Sequence, residues 1–571
     1  MRFYRSMFSV LAFILFISSS SIAQWSTDPG VNNPICTEYS DQAELQIVSD
    51  NAGGAIISWY DWRTENYEIY TQRINGSGNI MWDYQGVFIS DAVDYNDDID
   101  FPSLSACPDG QGGVFIAWSK PSGDGGKVFY QHVLAGGTTQ WSNPGLLVSA
   151  SPSYNSFPII RSDPGGNVYV VFTDDRSGDN SDVYMQKVDP TGQQTWSVND
   201  VSVFTGAGDQ FAFDLFIDAN NFSYVAGWDE RGGSGTYRGI YLQKINNDNS
   251  LLEWTPNGIE LSTVYKGIYP KILDDTQNGI IVFWRSQQNG IVAQRVDGNG
   301  NCLWANGGIQ FPNSQELNAI RYPSVVEDGN GGAVVAYDDL NNAYTSSDII
   351  LQRINSDGEL LWGAEGKNIG TDANIQVYPK IIKCSDGNYI ITWIDATNQS
   401  FKLVAQKVDS DGETLWTQTG VNVTTAGEEN SDQILVPCEN GGAVFAWLSK
   451  RSNNSGKDIY SAYLNSAGQL GVVTDIGNLC YAIPKEYSLT QNYPNPFNPT
   501  TSIRFGLPQD SNVKLVVYNT LGQKVVTLLD ERMSVGYHQV VFNASLLNSG
   551  VYFYRIEAGS FTRINKMILL K

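Results

Sequence analysis

The chain has 571 residues, about three times the length of a typical domain, so several domains or one large repeat architecture are expected. It contains 35 Lys and Arg against 60 Asp and Glu, for a formal net charge of -25. This acidity argues against binding to nucleic acid, which requires a basic surface. With only 2 His, the composition also argues against His-based metal sites and Ser-His catalysis.

Residues 1–23 have the pattern of a signal peptide. Two arginines precede an apolar stretch over 7–17, and small residues before Gln24 predict cleavage between Ala23 and Gln24. The stretch is too short to span a bilayer, which takes about 20 residues, although a membrane anchor is the alternative. No later run reaches 18 apolar residues, so no transmembrane segment is predicted in the mature chain.

A repeat of about 56 residues dominates the chain. Its marker is a Gln followed ten residues later by a Trp in six of seven copies. The marker positions are Gln72, Gln131, Gln186, Gln243, Gln294, Gln352 and Gln406, with Ala462 in the eighth place. Each copy contains four strand-like runs separated by turns rich in Asp, Asn and Gly. Because four antiparallel strands repeated around an axis form a propeller blade, we predict an all-β, eight-bladed β-propeller. Seven blades plus a stray copy is the alternative.

The repeat pattern also predicts strand boundaries and ring closure. We expect the first strand of many blades to start at an aromatic-Pro pair, such as Tyr269-Pro270, and the fourth strand to start at the Trp. The eighth copy lacks this last strand. Segment 25–31 resembles a fourth strand, so the N-terminus of the mature chain is predicted to complete blade eight beside residues 432–464 and to remove the open edge.

Most of the residues that invite a functional interpretation recur at fixed repeat positions. Fourteen of the 15 Trp do so, which favours packing between blades over stacking on sugars, and Trp62 alone lies outside the scheme. Asp61 and Arg63 have counterparts in other copies, so an ion pair within each blade is favoured over a ligand site. Cys36 and Cys480 flank the repeats; they form a disulfide or stay reduced and buried.

One acidic connection between blades is longer than a turn requires. It contains Asp94, Asp97, Asp98 and Asp100, and we expect a solvated loop there, with a calcium site as the alternative. No cofactor is predicted. In an antiparallel blade, two kinds of loop emerge on one side: the 2–3 connection between the second and third strands, and the 4–1 connection from the fourth strand to the first strand of the next blade. These loops vary most between copies. We therefore expect any ligand to bind on this loop face.

The spacing Asp-x-x-Gly-x-x-x-Trp recurs, as in Asp297, Gly300 and Trp304. It resembles the Asp box of sialidase-like propellers, although the interval from Gly to Trp is one residue longer here. It also resembles the tryptophan-docking motif of eight-bladed quinoprotein dehydrogenases and of the outer-membrane-assembly propeller. Both resemblances imply a fold and a structural role. The vicinal Cys pair of quinoproteins and the arginine triad of sialidases are not found, so an enzyme is disfavoured without being excluded.

The C-terminal region differs in charge and pattern from the repeats. Residues 487–571 carry +4 and the signal peptide +2, which leaves -31 for residues 24–486 of the total of -25. The C-terminal motifs comprise Pro494, Asn495, Pro496, Gly522, Gly550, Tyr552 and Lys566. They resemble the type A C-terminal sorting domain of the type IX secretion system.

The resemblance implies a small Ig-like β-sandwich over 487–571, joined to a propeller at 24–480 by a linker at 481–486. It also implies Sec export, passage through the type IX translocon and recognition by its sorting peptidase, with release or attachment at the cell surface. An Ig-like accessory domain without a sorting role is the alternative.

For the mature protein, we expect a secreted or surface-displayed module that binds a glycan or a protein without catalysis. The alternatives are an extracellular hydrolase or lyase that uses carboxylates on the loop face or in the channel, and a scaffold in an envelope complex. A close pair of carboxylates with one raised pKa would favour the enzyme, and scattered solvated acids would favour binding.

Overall fold

The structure is a computed structural model that describes residues 25–570 apart from several segments. The segments outside the description are 65, 84, 92–102, 123–124, 179, 197–199, 232–237, 287–289, 312–322, 341–346, 371–373, 398–399, 426–428, 452–455, 472–486, 490–491, 493–494, 496, 509–510, 534–535, 546 and 560. The predicted signal peptide with its Ala23–Gln24 cleavage site, the linker 481–486, and Cys480 therefore lie outside the described residues. Where the chain is described, it is built of strands and turns, and no helix is long and apolar enough to cross a membrane.

Eight four-stranded antiparallel sheets follow one another along the chain, as the repeat predicts. The first strand, β1 (Asn33–Cys36), belongs to the last of them. Blades 1 to 4 consist of β2 (Gln42–Ser49), β3 (Ala55–Asp61), β4 (Glu68–Ile74), β5 (Val87–Ser90); β6 (Leu104–Pro108), β7 (Val114–Ser122), β8 (Gly125–Val133), β9 (Leu146–Leu147); β10 (Asn155–Ser162), β11 (Val168–Asp174), β12 (Asp182–Val188), β13 (Val201–Phe204); β14 (Gln210–Ile217), β15 (Phe222–Asp229), β16 (Gly239–Asn246) and β17 (Ile259–Glu260).

Blades 5 to 8 continue the same order. They consist of β18 (Gly267–Asp274), β19 (Ile280–Ser286), β20 (Gly290–Val296), β21 (Ile309–Gln310); β22 (Ser324–Glu327), β23 (Ala333–Leu340), β24 (Ser347–Ile354), β25 (Lys367–Asn368); β26 (Ile375–Lys383), β27 (Tyr389–Thr397), β28 (Ser400–Val408), β29 (Val421–Asn422); and β30 (Glu429–Pro437), β31 (Ala443–Lys450), β32 (Asp458–Leu464). This arrangement confirms the eight-bladed propeller.

The second strand of each blade is mostly apolar because both of its faces are covered. All seven residues of β3 are buried, and so are all seven of β11. The core clusters each join residues of adjacent blades, for example Trp118 of blade 2 with Ile56 of blade 1. The hydrophobic core is therefore a ring of inter-blade interfaces.

Two predicted strand boundaries are wrong. The fourth strand starts several residues after the Trp, as at Val87 after Trp82, because the Trp turns away from the ladder to pack on the next blade. The aromatic-Pro pair lies inside the first strand, where Tyr269 follows two residues of β18. Tyr269 has a φ of 57° and the register slips there, so the pair marks a bulge.

The ring closes through the N-terminal segment, as predicted, but the closing strand lies further along the chain than expected. The closing strand is Asn33–Cys36, downstream of the expected 25–31, and it pairs antiparallel with β32 through Asn33 and Ser461. Arg451 binds this segment by donating hydrogen bonds to the carbonyl of Val31 at 3.0 Å and to Oδ1 of Asn32 at 2.9 Å. Closure thus joins residues about 420 positions apart without a covalent bond.

The C-terminal region forms the predicted β-sandwich. One sheet has the order β33 (Ser488–Leu489), β34 (Thr500–Leu507), β37 (Gly536–Asn543), and the other β36 (Lys524–Met533), β35 (Ser511–Asn519), β38 (Gly550–Ala558), β39 (Phe561–Leu569). Both sheets contribute to one apolar core, which includes Phe505, Val517 and Tyr554.

Candidate functional site

The Trp that precedes each fourth strand docks on the following blade. The indole of Trp82 donates to the carbonyl of Ala135 at 3.1 Å, and that of Trp304 donates to the carbonyl of Ser356 at 3.0 Å. The turn that receives most of these rings carries a Gly: a Cβ on Gly137 would lie 2.6 Å from the Trp82 ring. These Trp residues are therefore structural, as the docking-motif resemblance implies.

The marker Gln explains why each Trp is held in place. Gln352 Oε1 accepts from the backbone N–H of Trp362 at 3.0 Å and from that of Arg353, while its Nε2 donates to Gly363. The same bonds recur around Gln72, Gln294 and Gln406. Because the amide is fully buried and satisfied, it is a structural clamp. The ten-residue spacing to the Trp identified this Gln in the sequence, but its hydrogen bonds to the Trp backbone were not predicted.

The repeated Asp and Arg residues form the predicted ion pairs within the blade. Arg63 contacts the buried Asp61 at 2.6 Å, Arg176 contacts Asp174 at 2.8 Å, and Arg231 contacts Asp229 at 2.6 Å. In each case the guanidinium also lies over a Tyr ring of the third strand, as Arg63 lies 3.8 Å from the centre of Tyr70. Asp61 further accepts from the Trp59 indole at 3.0 Å.

Bulges in the inner strands shape the mouth of the central channel on the loop face. In five blades the bulge residue has a left-handed backbone and lies near the start of the first strand, just after the connection from the preceding blade. The described members are Glu44, Phe157, Tyr269, Tyr378 and Asp432. Non-glycine residues rarely adopt positive φ, and such residues concentrate at functional sites. We call this set of positions, with the two residues that follow each bulge, the channel mouth.

Two carboxyl groups occupy bulges of adjacent blades at the channel mouth. Burial and, to a smaller extent, the negative charge of Asp432 raise the pKa of Glu44 to about 8, although hydrogen bonding from Ser103 opposes them. Glu44 Oε2 is buried without a hydrogen-bond partner. Asp432 is exposed and accepts from Ser431 Oγ at 2.8 Å. At neutral pH the site therefore places a protonated Glu44 carboxyl in the blade next to the exposed Asp432, an arrangement that sequence reasoning did not identify.

Cations line other parts of the channel mouth. Lys271 and Lys380 each lie two residues after a bulge, in blades 5 and 7. Burial and the charge of Lys271 lower the pKa of Lys380, and Asp432 partly offsets both effects. In blades 3 and 4, Arg161 pairs with Asp214 at 3.1 Å, and Asp214 also accepts from the backbone of Ile272 at 3.0 Å. The last contact links neighbouring inner strands.

An aromatic pair flanks the channel mouth on the loop face. Trp62, the one Trp outside the repeat positions, is 39% exposed, and its ring lies edge-on to Tyr67 at a centroid distance of 4.3 Å. The backbone N–H of Trp62 donates to the carbonyl of Asp41 at 3.1 Å, which holds the pair beside the start of β2, three residues before Glu44. The surface formed by Trp62 and Tyr67 is called the aromatic platform below.

The proposed calcium ligands are not tested by this geometry. Asp94, Asp97, Asp98 and Asp100 lie outside the described residues. Within the described ranges, no group of three or more His, Cys, Asp or Glu is arranged to hold a metal ion.

Several residues of the predicted sorting motif form hydrogen bonds within the C-terminal sandwich or lie in its turns and strands. Asn495 Oδ1 accepts from the backbone of Ile568 at 2.8 Å, and Tyr552 donates to the carbonyl of Asn548 at 2.8 Å. Gly522 has a φ of 75° in the turn after β35, and Gly550 opens β38. Lys566 lies in β39 opposite Phe553, while Pro494 and Pro496 fall outside the described residues.

The fold and the C-terminal region define the class of protein: an eight-bladed propeller exported with a C-terminal sorting domain. Residues 491–570 match the family of secretion system C-terminal sorting domains, so this chain carries a type IX sorting domain there. It is therefore exported by type IX secretion to the cell surface or the extracellular space. A search of curated proteins found no match to the chain.

Solved structures with similar architecture share little sequence with this chain. A polysaccharide lyase of family PL25, an ulvan lyase, is 9% identical with a TM-score of 0.37, covering 65% of this chain and 93% of its own. An α-L-arabinofuranosidase from Fusarium graminearum is 14% identical with a TM-score of 0.30, covering 55% and 91%. PorZ of Porphyromonas gingivalis, a surface component of the type IX secretion system, is 10% identical with a TM-score of 0.33, covering 95% and 100%. At these values, none identifies an activity or ligand.

Proposed function

We propose that the mature protein is a glycan-binding propeller of the cell surface or extracellular space. The observation that carries the proposal is the aromatic platform, because Trp62 is exposed on the loop face while the recurring Trp residues serve inter-blade packing. An exposed indole offers a flat apolar face to the C–H groups of a sugar ring, and its neighbour Tyr67 holds it edge-on.

The rigid surroundings support binding at this place. The platform follows directly on β3, whose residues are all buried, and is bonded to the chain entering β2. A preorganised aromatic surface loses little conformational entropy on binding. The ionisable groups of the channel mouth lie next to it and provide polar partners for hydroxyl groups. A protein ligand on the same face is the other form of the binding hypothesis.

A glycan array with the chain from residue 24 to 571, run with calcium and again with a chelator, tests the proposal. We expect selective binding that falls at least tenfold, worth about 1.4 kcal/mol, in Trp62→Ala. Met81→Ala is the matched control, since Met81 is an exposed apolar side chain beside the 3–4 turn on the opposite face. Loss of binding with the chelator would support calcium at the loop of Asp94, Asp97, Asp98 and Asp100. An absence of binding in both conditions would contradict glycan recognition and leave a protein partner.

Catalysis is a second candidate, favoured by Glu44 and Asp432. A carboxyl with a pKa of about 8 can act as a general acid at neutral pH, and Asp432 in the neighbouring blade is the candidate for the second carboxyl of such a pair. The test is release of reducing ends from a panel of polysaccharides by the wild type and by Glu44→Gln. Glu413→Gln, an exposed acid on the outer surface, is the control. Equal rates in the wild type and Glu44→Gln would contradict the candidate.

A further inference from the structure

Tyr378, the bulge residue of blade 7, places an exposed aromatic ring at the channel mouth. It is 44% exposed, and its backbone has a φ of 59°. The neighbouring blades hold this backbone from both sides: Asp338 of blade 6 accepts a hydrogen bond from its N–H, and Gln433 of blade 8 donates to its carbonyl at 2.5 Å. Residues in such conformations persist where the surrounding structure fixes them. The ring is therefore an exposed aromatic surface on a rigid support.

Blade 8 continues the loop face from this bulge. Gln433, which holds the Tyr378 carbonyl, directly follows Asp432, whose side chain is exposed. Asp432 accepts from Ser431 Oγ at 2.8 Å, and Ser431 Oγ accepts from the ammonium group of Lys457 at 3.1 Å. Polar side chains of blade 8 thus form a connected row that starts beside Tyr378.

The same row reaches the aromatic platform of blade 1. The backbone N–H of Lys457 donates to Oδ1 of Asp41 at 2.9 Å, and the carbonyl of Asp41 accepts from the N–H of Trp62 at 3.1 Å. Tyr378 and Trp62 are therefore the two aromatic ends of one connected surface over blades 7, 8 and 1. We call it the spanning surface; it consists of the aromatic platform, Asp41, Lys457, Ser431, Asp432 and Tyr378.

The charge of the spanning surface favours an uncharged ligand. Asp41 and Asp432 are both exposed, and a carboxyl group has more lone pairs than their hydrogen bonds to Lys457 and to the neighbouring hydroxyl use. The other lysine nearby, Lys380, has a pKa lowered mainly by burial. Residues 24–486 carry a formal charge of -31, so the propeller repels an anionic polymer. The hydroxyl groups of a neutral sugar, in contrast, are donors that exposed carboxyl oxygens accept.

We propose that the spanning surface binds an extended, neutral polysaccharide chain across blades 7, 8 and 1. Sugar rings stack on Trp62 at one end and on Tyr378 at the other, and the exposed carboxyl groups between them accept hydrogen bonds from sugar hydroxyl groups. Both aromatic ends are held in place before the ligand arrives, which lowers the entropy cost of binding. The inference rests on the proposed glycan binding and specifies its ligand class.

Affinity electrophoresis of the chain from residue 24 to 571 tests the ligand class. The native gels contain a neutral polysaccharide (laminarin, glucomannan or galactan) or an anionic one (alginate, polygalacturonate or carrageenan). We expect at least one neutral polysaccharide to retard the protein and none of the anionic ones to do so. The hexasaccharide of the retarding polymer should compete at least about tenfold more effectively than its disaccharide, because only the longer ligand reaches both aromatic ends.

Variants at the two ends test the spanning surface itself. Tyr378→Ala and Trp62→Ala should each lower the affinity for the hexasaccharide at least about tenfold, whereas Tyr378→Phe, which keeps the ring, should stay within about threefold of the wild type. Tyr154→Ala is the matched control, since Tyr154 is 38% exposed on the loop face directly before β10 and outside the spanning surface. Melting temperatures of the variants show whether each one is folded, and the competition by the two oligosaccharides in the wild type does not depend on any variant.

The outcomes separate this inference from the proposed function. Retardation by an anionic polysaccharide would overturn the neutral ligand class, and equal competition by disaccharide and hexasaccharide would overturn the extended binding mode. An unchanged affinity in a folded Tyr378→Ala variant would also overturn the inference. Each of these results leaves glycan binding standing. No retardation by any of the six polysaccharides would overturn both the inference and the proposed function.

Discussion

The indole of Trp25 donates a hydrogen bond of 3.0 Å to the carbonyl of Gly76, in the 3–4 turn of blade 1. Trp25 precedes the strand that completes blade 8, so this bond joins the last blade to the first. Its ring is almost fully buried and shares a core with Ile57 and Tyr463. The contact is the same docking that Trp82 makes between blades 1 and 2, placed at the one interface where the ring must close.

Trp25→Ala should destabilise the propeller strongly. Loss of a buried aromatic ring costs about 3 to 5 kcal/mol, and here it also weakens the ring closure to which β1 contributes. Denaturant unfolding followed by tryptophan fluorescence measures the change. Trp62→Ala, which removes an exposed ring, should change stability by less than about 1 kcal/mol. Similar effects of the two substitutions would contradict the closing role of Trp25.

Gly137→Ala should be costly for two separate reasons. Gly137 has a φ of 83°, which strains any residue with a Cβ by about 1 to 2 kcal/mol, and the new Cβ would lie 2.6 Å from the Trp82 ring. Gly110→Ala is the matched control, because Gly110 has a φ of 74° with open space around its Cβ position. The difference in unfolding free energy between the two variants isolates the cost of displacing the docked Trp. No difference would contradict the docking.

Removal of Asp61 should unfold blade 1 more readily than removal of an exposed acid. Asp61 is fully buried and accepts hydrogen bonds from Arg63 and from the Trp59 indole, so Asp61→Ala removes the counter-ion of Arg63 and leaves the buried indole N–H without its acceptor. The expected loss is about 3 to 5 kcal/mol. Glu413→Ala breaks the solvent-exposed pair with Lys367 and should cost less than about 1 kcal/mol. Thermal unfolding of both variants makes the comparison.

The raised pKa of Glu44 predicts a pH dependence of stability. In the folded protein the carboxyl stays protonated up to a pKa of about 8, whereas the unfolded chain ionises near 4.5. The folded state therefore binds the extra proton between these values, and the contribution of Glu44 to stability is lost as pH rises from about 4.5 to 8. Glu44→Gln should melt at a higher temperature than the wild type at pH 8, with the gap closing near pH 4.5. A gap that does not vary with pH would contradict the burial of Glu44.

The propeller could be predicted because its physical causes are local and repeated eight times. Apolar second strands, Asp and Gly turns and the Trp spacing each recur, so the period indicated the number and order of the blades. The boundaries of the fourth strand were missed since Trp82 leaves the ladder to dock on a different blade, a contact absent from the local pattern. The bulge at Tyr269 was missed for a similar reason: its positive φ depends on how neighbouring inner strands meet.

The amino-acid sequence by itself determined the number of blades, the N-terminal closure, the export domain and the structural role of most Trp residues, because these depend on periodicity and on short motifs. Only the tertiary structure decided which charges meet at the channel mouth. Glu44, Lys271, Lys380 and Asp432 belong to four different blades, and each lies at the bulge of an inner strand or two residues after it. The burial that raises the pKa of Glu44, and the influence of the Asp432 charge on Glu44 and Lys380, arise when the ring closes and brings distant inner strands around one channel.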